Sequence, residues 1–445
     1  MKPLHVAMFP WFAFGHMTPF LHLSNELAQR GYKVSFLLPN KALSQLRQHN
    51  LHPDLITFYP ISVPHIPGLP TGTETASDIP IALTSLLATA MDMTRPEVET
   101  LLIRDLHPDL ILYDTAPWIP DIGFKTVCYN VVSAASLAIA LVPALKRPQE
   151  DGELLQPPPG YPSSKIVLRK HEARALSFIF TEFGSGLTFY NRITTALAKA
   201  DAIAIRTCRE LEGELCDYME SQYGKPMLLT GPILPKITNL ALEGEWATFF
   251  NRFEPHSVIF CALGSQWVLE IEQFQELVLG FEMTKMPFYI AVKPPIGFTT
   301  IDEALPKGFQ ERVKDRGVVF GGWVPQTQIL SHGSVGCFVN HCGFGSMWET
   351  LMSDCQIVLV PHLGDQILNS RLLADELKLA VEVEREPNGW FSGENLCKAI
   401  KSVMGKDSQI GELLKENHLK MKETLIAQGF MSGYMDRFIQ KLHRL

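Results

Sequence analysis

The chain has no CxxC pair. Its eight cysteines, Cys128, Cys208, Cys216, Cys261, Cys337, Cys342, Cys355 and Cys397, stand apart from one another. That excludes a zinc knuckle and a dense disulfide framework, and it points to a reducing, cytoplasmic setting. A basic excess is also missing. The formal net charge is −8 and no lysine–arginine cluster occurs, which argues against a nucleic-acid partner. The longest apolar stretch, Val131–Leu145, is too short for a membrane span and carries Pro143. The opening MKPLHVAMFPWFAFGH lacks a long apolar core followed by a small-residue cleavage site, so it reads as a first strand and not as a signal peptide. Neither half supplies a GxGxxG turn after its first strand, which counts against a nicotinamide-dependent oxidoreductase.

What is present is a well-packed α/β pattern. At 445 residues, with 46% hydrophobic and 19% charged residues, the chain is too long for one ordinary core and predicts two domains. His5–Phe9 reads as a strand. Thr18 reads as an N-cap with Pro19 at the first helical position, and Gly31 closes that helix. Strands follow at Lys33–Pro39, Asp109–Tyr113, Lys125–Val132, Ala200–Arg206 and Pro226–Gly231. The stretch Arg147–Ser164 is proline-rich and aperiodic, a long loop of the functional or mobile kind. Prolines and glycines then mark a linker at 235–247. After it the alternation restarts, with strands at Ser257–Leu263, Pro287–Val292, Gly317–Phe320, Val335–Val339, Ile357–Val360 and Ala380–Val383. The expected layout is an N-terminal domain over 1–234, a C-terminal domain over 248–425 and a terminal helix over 426–445 packing back on the first domain. Both halves read as doubly wound parallel sheets, whose ligands sit at the carboxyl ends of the strands. Two such domains facing one another leave a cleft.

Chemistry-bearing residues fall at those strand ends. His16 lies in the loop after the first strand and Asp114 just after DLILY. Ser265 and His341 hold equivalent places in the second half. A histidine with an aspartate behind it makes a general base with an orienting partner, and a hydrogen-bonded loop histidine is the plainer alternative. The stretch NHCGFGSMWETL, Asn340 to Leu351, follows an apolar strand and opens a helical pattern expected from Ser346 onward. Strand, glycine turn and helix N-terminus together suit an anion, because free N–H groups and the helix dipole both favour negative charge. Plain packing of a glycine turn is the competing explanation.

The longer stretch WVPQTQILSHGSVGCFVNHCGFGSMWETLMSDCQIVLVPHLGDQ, Trp323 to Gln366, resembles in one ungapped frame the signature box of plant UDP-sugar-dependent glycosyltransferases of family 1. Gly15-His16 with Pro19, Asp114 ahead of Trp118, and SVIFCALGSQ agree with that family, and the resemblance covers nearly the whole chain. It implies a GT-B fold, acceptor on the first domain and UDP-sugar on the second. Carried over by position, Trp323 would stack on uracil and the Val324 backbone would read its edge. Gln326 and Glu349 would hold the ribose. His341, Gly343, Phe344, Gly345 and Ser346 form the diphosphate turn, with Ser265 at the matching strand end. Asp365 and Gln366 would grip the transferred sugar, and His332 would be structural. His16 would take the acceptor proton and Asp114 would steady the imidazolium, so that the anomeric centre inverts. No Asp-x-Asp occurs, so neither a metal nor another cofactor is expected beside the UDP-sugar.

The box also departs from its family. Phe344-Gly345 stand where Trp-Asn is usual, and Asp354 and Gln356 where glycine and proline are common. The Phe-Gly form with SDCQIV resembles the branch that adds a sugar to a sugar on flavonoid, anthocyanin or other phenolic glycosides. Ala138 and Ile139 fall where relatives carry small hydroxyl residues near the sixth carbon of the donor sugar, which leans the reading towards rhamnose over glucose or xylose. An aglycone glucosyltransferase is the alternative within the family; a nucleotide-dependent oxidoreductase is a more distant one. A monomer is expected. Only six residues, IPDIGF, separate Trp118 from the strand at Lys125, which is short for a parallel crossover and suggests a deletion.

Overall fold

Seven strands form one sheet: β1 (His5–Phe9), β2 (Lys33–Pro39), β3 (Ile56–Ile61), β4 (Leu110–Tyr113), β5 (Lys125–Asn130), β6 (Ala202–Ile205) and β7 (Met227–Leu229). Six more form a second: β8 (Val258–Ala262), β9 (Phe288–Ala291), β10 (Gly317–Phe320), β11 (Val335–Asn340), β12 (Gln356–Leu359) and β13 (Val381–Glu382). The computed structural model describes residues 3–145, 153–233, 241–264 and 267–445. Within it the sheets run in the order β3-β2-β1-β4-β5-β6-β7 and β10-β9-β8-β11-β12-β13. Adjacent strands are parallel throughout, as in β1–β4 and β8–β11. Each order reverses direction beside its first strand. Such a switch point leaves room for a ligand at the strands' carboxyl ends.

The strands that flank those switch points are apolar on both faces, as buried parallel strands must be. β4 (LILY) and β8 (VIFCA) are buried at every position. The chain divides into two compact units, Met1–Ser163 with Leu176–Ile233 and Gln428–Leu445, and Ser164–Ala175 with Leu234–Ala427. In the first, Met435, Phe438, Ile439 and Leu442 of the helix Phe430–Leu442 join the core built on Val6, Phe20, Phe36 and Leu112. In the second, Phe274, Phe281, Val339 and Val358 anchor one core on one side of the sheet, and Phe250, Phe260 and Phe338 anchor another.

Four local expectations are corrected. The first helix spans Phe14–Ala28, so Thr18 is not its cap and Pro19 lies inside it. Met17 belongs to the buried stripe of Phe20, Leu21 and Leu27, which draws the helix back by a turn. Pro19 there forgoes one intrahelical bond, to the Gly15 carbonyl. His16 is therefore a helical residue and not a loop residue. The helix after β11 likewise starts at Phe344, ahead of Ser346. The end of the expected linker is taken up by the helix Gly244–Phe250, which runs on into the second domain and is pinned there by buried Phe249 and Phe250; positions 234–240 lie outside the described residues, as do 146–152 of the proline-rich loop. Finally, Ser164–Ala175 sits with the second unit, although it interrupts the first in sequence.

The short crossover after Trp118 closes without distortion of the sheet. Ile119–Ile122 is a 3-10 turn, Gly123 turns the chain at φ +97°, and β5 pairs in register with β4 from Leu110 opposite Lys125. Residues 114–124 make the whole connection.

Candidate active site

β1 and β4 are neighbours in the sheet, and both end at the same edge. That brings the residues beyond them together. His16 Nδ1 lies 2.5 Å from Asp114 Oδ2. A carboxylate only accepts, so Nδ1 carries the proton and Nε2 is left as the basic nitrogen. The other carboxylate oxygen, Oδ1, accepts the Trp11 N–H at 2.8 Å and the Thr115 N–H at 2.6 Å. Asp114 is buried by this enclosure, while 27% of the His16 side chain stays open to solvent. A ring so oriented, with one nitrogen held and the other facing outward, can take a proton from a hydroxyl.

The loop after Asp114 is held by a residue that the sequence did not single out. Arg192 is fully buried. Its Nε donates to the Phe183 carbonyl at 2.8 Å, and one terminal nitrogen donates to Asp92 at 3.0 Å and to the Thr115 carbonyl at 3.2 Å. The other terminal nitrogen donates to Asp92 and to the Gly184 carbonyl. Trp118 Nε1 joins at 3.0 Å from Asp92. Every guanidinium N–H is thus used, and the backbone that follows Asp114 is fixed at Thr115 and Trp118. One arginine in a helical stretch carries no motif, so no sequence signal marked it.

In the second unit, β11 ends at Asn340, whose Oδ1 accepts the Cys342 N–H at 2.8 Å. Cys342 adopts φ +59°, and the helix Phe344–Met352 follows Gly343, which provides no side-chain cap. Its first-turn N–H groups are therefore not satisfied within the helix. Phe344 turns inward, edge-on to Trp348 at 5.8 Å, and offers only its backbone. Gly345 is exposed and Ser346 half-buried. The His341 ring fits between two glycines. A Cβ on Gly264 or on Gly343 would come within 2.7 Å of its Nε2. Burial, with a smaller contribution from His362, pushes this imidazole down to about 4, so it is neutral at ordinary pH. Its Nδ1 has no hydrogen-bond partner among the described residues. A neutral ring beside an uncapped helix start offers one N–H to an anion without adding a charge.

Around that turn, Gln326 Nε2 donates to Glu349 Oε2, which joins the two residues expected at one sugar ring. Trp323 is 79% exposed, a flat apolar face open to solvent, next to buried Val324. Asp365 and Gln366 begin the helix Asp365–Arg371. Gln366 Oε1 accepts the N–H groups of His362 and Leu363 at 3.1 and 3.3 Å, which turns its amide NH2 away from the backbone. Asn369 Nδ2 donates to Asp365 at 3.1 Å and to the Cys342 carbonyl at 3.0 Å, tying this helix to the glycine turn. Ser265 lies outside the described residues. The structure thus joins Gln326 to Glu349 on the helix that carries Gly345 and Ser346, sets His341 against Gly343, and connects Asp365 to this turn through Asn369; it pairs His16 with Asp114 separately.

Other residues at the site were not read from sequence. Gly264 closes β8 where His341 needs space. Trp267 stacks on His362, with centroids 4.4 Å apart. Asn369 is fully buried. His332, by contrast, has Nδ1 at 2.9 Å from Ser334 and Nε2 at 3.1 Å from Asn251, the bonding of a structural residue. Ala138 and Ile139 are buried in the helix Ala134–Ala140, so neither presents a face to a ligand, and the argument they gave for rhamnose falls away.

Comparison with known proteins decides the family. Residues 308–424 match the family described as UDP-glucoronosyl and UDP-glucosyl transferase. The chain is 56% identical to an Arabidopsis thaliana protein named anthocyanidin 3-O-glucoside 2'''-O-xylosyltransferase, over 99% of this chain and 97% of that one. It belongs to the plant family-1 UDP-glycosyltransferases. A second Arabidopsis thaliana relative, UDP-glycosyltransferase 79B6, is 55% identical over the same shares. Among solved structures, Arabidopsis thaliana UGT89C1 aligns with a TM-score of 0.78 at 23% identity, over 99% of this chain and 100% of that one. Glycyrrhiza uralensis UGT73P12 aligns at 0.79 and 20%, over 100% and 96%. The fold of this transferase is GT-B. Its donor is a UDP-sugar, and the family works without a metal. Among the described residues no helix is long and apolar enough to cross a membrane.

Proposed function

We propose that the enzyme transfers a sugar, with inversion, from a UDP-sugar to a sugar hydroxyl of a flavonoid, anthocyanin or other phenolic glycoside. The observation that carries the choice of acceptor is the 56% identity, end to end, to a protein whose name specifies a glucoside acceptor. The contact of His16 with Asp114 carries the mechanism.

In this reading His16 Nε2 removes the proton of the acceptor hydroxyl as its oxygen attacks the anomeric carbon. Asp114 stabilises the imidazolium that forms. The bond from the anomeric carbon to the diphosphate oxygen breaks on the opposite face and UDP departs. The negative charge on the diphosphate is received by the first-turn N–H groups of Gly345 and Ser346, by the Ser346 hydroxyl and by neutral His341. Trp323 stacks on uracil, whose edge bonds the Val324 backbone. Gln326 and Glu349 take the ribose hydroxyls, and Asp365 and Gln366 those of the transferred sugar. Ser265 completes the diphosphate site. With Ala138 and Ile139 buried, the donor to test first is UDP-xylose, after the relative's name, with UDP-rhamnose and UDP-glucose beside it. The enzyme acts as a cytoplasmic monomer.

The test is UDP release by the purified protein with those three donors crossed against a flavonoid glucoside, an anthocyanin glucoside and their aglycones. Turnover confined to the glucosides supports the proposal and names the donor. Turnover confined to aglycones refutes sugar-on-sugar transfer.

A further inference from the structure

Ser164–Ala175 leaves the first unit and belongs to the second. It is fastened there by buried charge. Arg371 and Glu172 are each only 3% exposed at the side chain, and Glu382 is 7% exposed. One arm of the Arg371 guanidinium bonds Glu172 Oε1 and the other bonds Glu382 Oε2. Glu172 Oε2 accepts the Arg169 N–H at 2.7 Å, and the Arg169 side chain returns to Glu382 Oε1 at 2.8 Å. Ser370 Oγ donates to Glu382 at 3.0 Å. Removing one member of such a network leaves a charge buried without its counter-charge, so the geometry is strongly held.

Arg371 is the last residue of the helix that begins with Asp365 and Gln366. Those residues lie about 8 Å apart along one helix axis, at about 1.5 Å per residue. A helix is stiff over that length, so what fixes Arg371 fixes the placement of Asp365 and Gln366. Nearer the other end, Asn369 and the bonds of Gln366 to residues 362 and 363 tie the helix, and Ile367 and Leu368 are buried.

We propose that Glu172, brought in by the segment Ser164–Ala175, is a positioning residue for the transferred sugar: through Arg371 it sets the helix whose first two residues hold that sugar's hydroxyls. This rests on the reading of Asp365 and Gln366 given above. Glu172 acts through another residue and touches no substrate. The uracil, ribose and diphosphate groups are assigned to Trp323, Gln326, Glu349 and the glycine turn, on other elements. Disturbing Glu172 therefore loosens the grip on the sugar more than the grip on UDP, which this helix reaches through the Asn369 bond to the Cys342 carbonyl.

The experiment compares wild type, Glu172→Gln and Gln366→Ala in the full chain. Each is given whichever of UDP-xylose, UDP-rhamnose and UDP-glucose wild type turns over fastest, with UDP as product inhibitor. Glu172→Gln keeps the shape of the side chain and removes its charge. Its KM for the UDP-sugar should rise about tenfold or more, as expected for misplaced contacts, while the inhibition constant of UDP stays within about twofold. Arg371→Lys, which keeps the charge and gives up the second arm, should show the same split and serves if Glu172→Gln does not fold. Equal loss of both affinities, or loss of neither, while Gln366→Ala shows the split, overturns the role of Glu172 alone. Absence of the split in Gln366→Ala overturns the reading of the sugar site and this inference with it.

Discussion

His16 and Asp114 are 98 residues apart in sequence and 2.5 Å apart in space. The parallel pairing of β1 with β4 makes them neighbours, and the two backbone N–H groups on Asp114 Oδ1 aim its other oxygen at the ring. Replacing Asp114 by asparagine keeps the shape but removes the charge that stabilises the imidazolium, and it frees the ring to adopt the wrong tautomer. Turnover should fall by about 10²–10⁴-fold, the range for a lost general base. Calorimetric affinity for UDP should not change, since the residues proposed to hold UDP are others. An Asp114→Asn enzyme with normal kcat would remove His16 from the mechanism.

Gly343 can be tested more cleanly than Gly264. Its backbone is extended, at φ −59° and ψ 148°, so alanine is allowed there, whereas Gly264 has φ +77°. The main cost of Gly343→Ala is then the approach of its Cβ to within 2.7 Å of His341 Nε2, beside the weaker N-cap that alanine makes. The ring must move out of its slot. UDP affinity should weaken about tenfold or more, in line with the displacement of a preorganised hydrogen-bond donor. Unchanged UDP binding would mean that His341 takes no part in it.

Acidification should destabilise the protein through its buried histidines. Burial brings His22, His341 and His362 each down to about 4 from 6.5. The unfolded chain then binds more protons than the folded one between those values, so stability rises with pH through that window and levels off above it. The stability each neutral ring provides is fully present above about 6.5 and is lost as pH falls towards 4. For His341 alone the shift corresponds to about 3 kcal/mol. Urea unfolding at pH 7.5 and pH 5 should show a smaller difference for His341→Gln than for wild type. Identical pH dependence would place His341 outside this linkage.

Arg192 secures the loop after Asp114, and its loss should be felt in stability first. Arg192→Met leaves Asp92 without its guanidinium and should cost about 3–5 kcal/mol by denaturant unfolding. Asp92→Asn, which leaves the fully buried guanidinium without its counter-charge, should cost a similar amount. A neutral outcome for Arg192→Met would show that the loop is held elsewhere.

The sequence made most strands legible because they are continuous apolar runs, and the box from Trp323 to Gln366 because its residues are adjacent in the chain; β3, ITFYPI at the edge of its sheet and only partly buried, went unread. What it hid depends on contacts across long separations. The first helix began earlier than Thr18 and Pro19 suggested, because burial of Met17 outweighed a local capping signal. The clamp of Arg192 on Asp92 spans 100 residues, and that of Arg371 on Glu172 spans 199. Nothing local distinguishes those arginines from surface ones. Ala138 and Ile139 failed for a related reason: position in a family pattern does not say which way a side chain faces, and here both face the core.

The most direct test of the mechanism is the anomeric configuration of the isolated product, read by proton NMR, from the donor that supports turnover. An oriented His16 base acting opposite the departing UDP predicts a linkage of configuration opposite to that of the sugar in the donor, formed by wild type and not by His16→Ala. A product that retains the donor's configuration would contradict the single displacement on which the account is built.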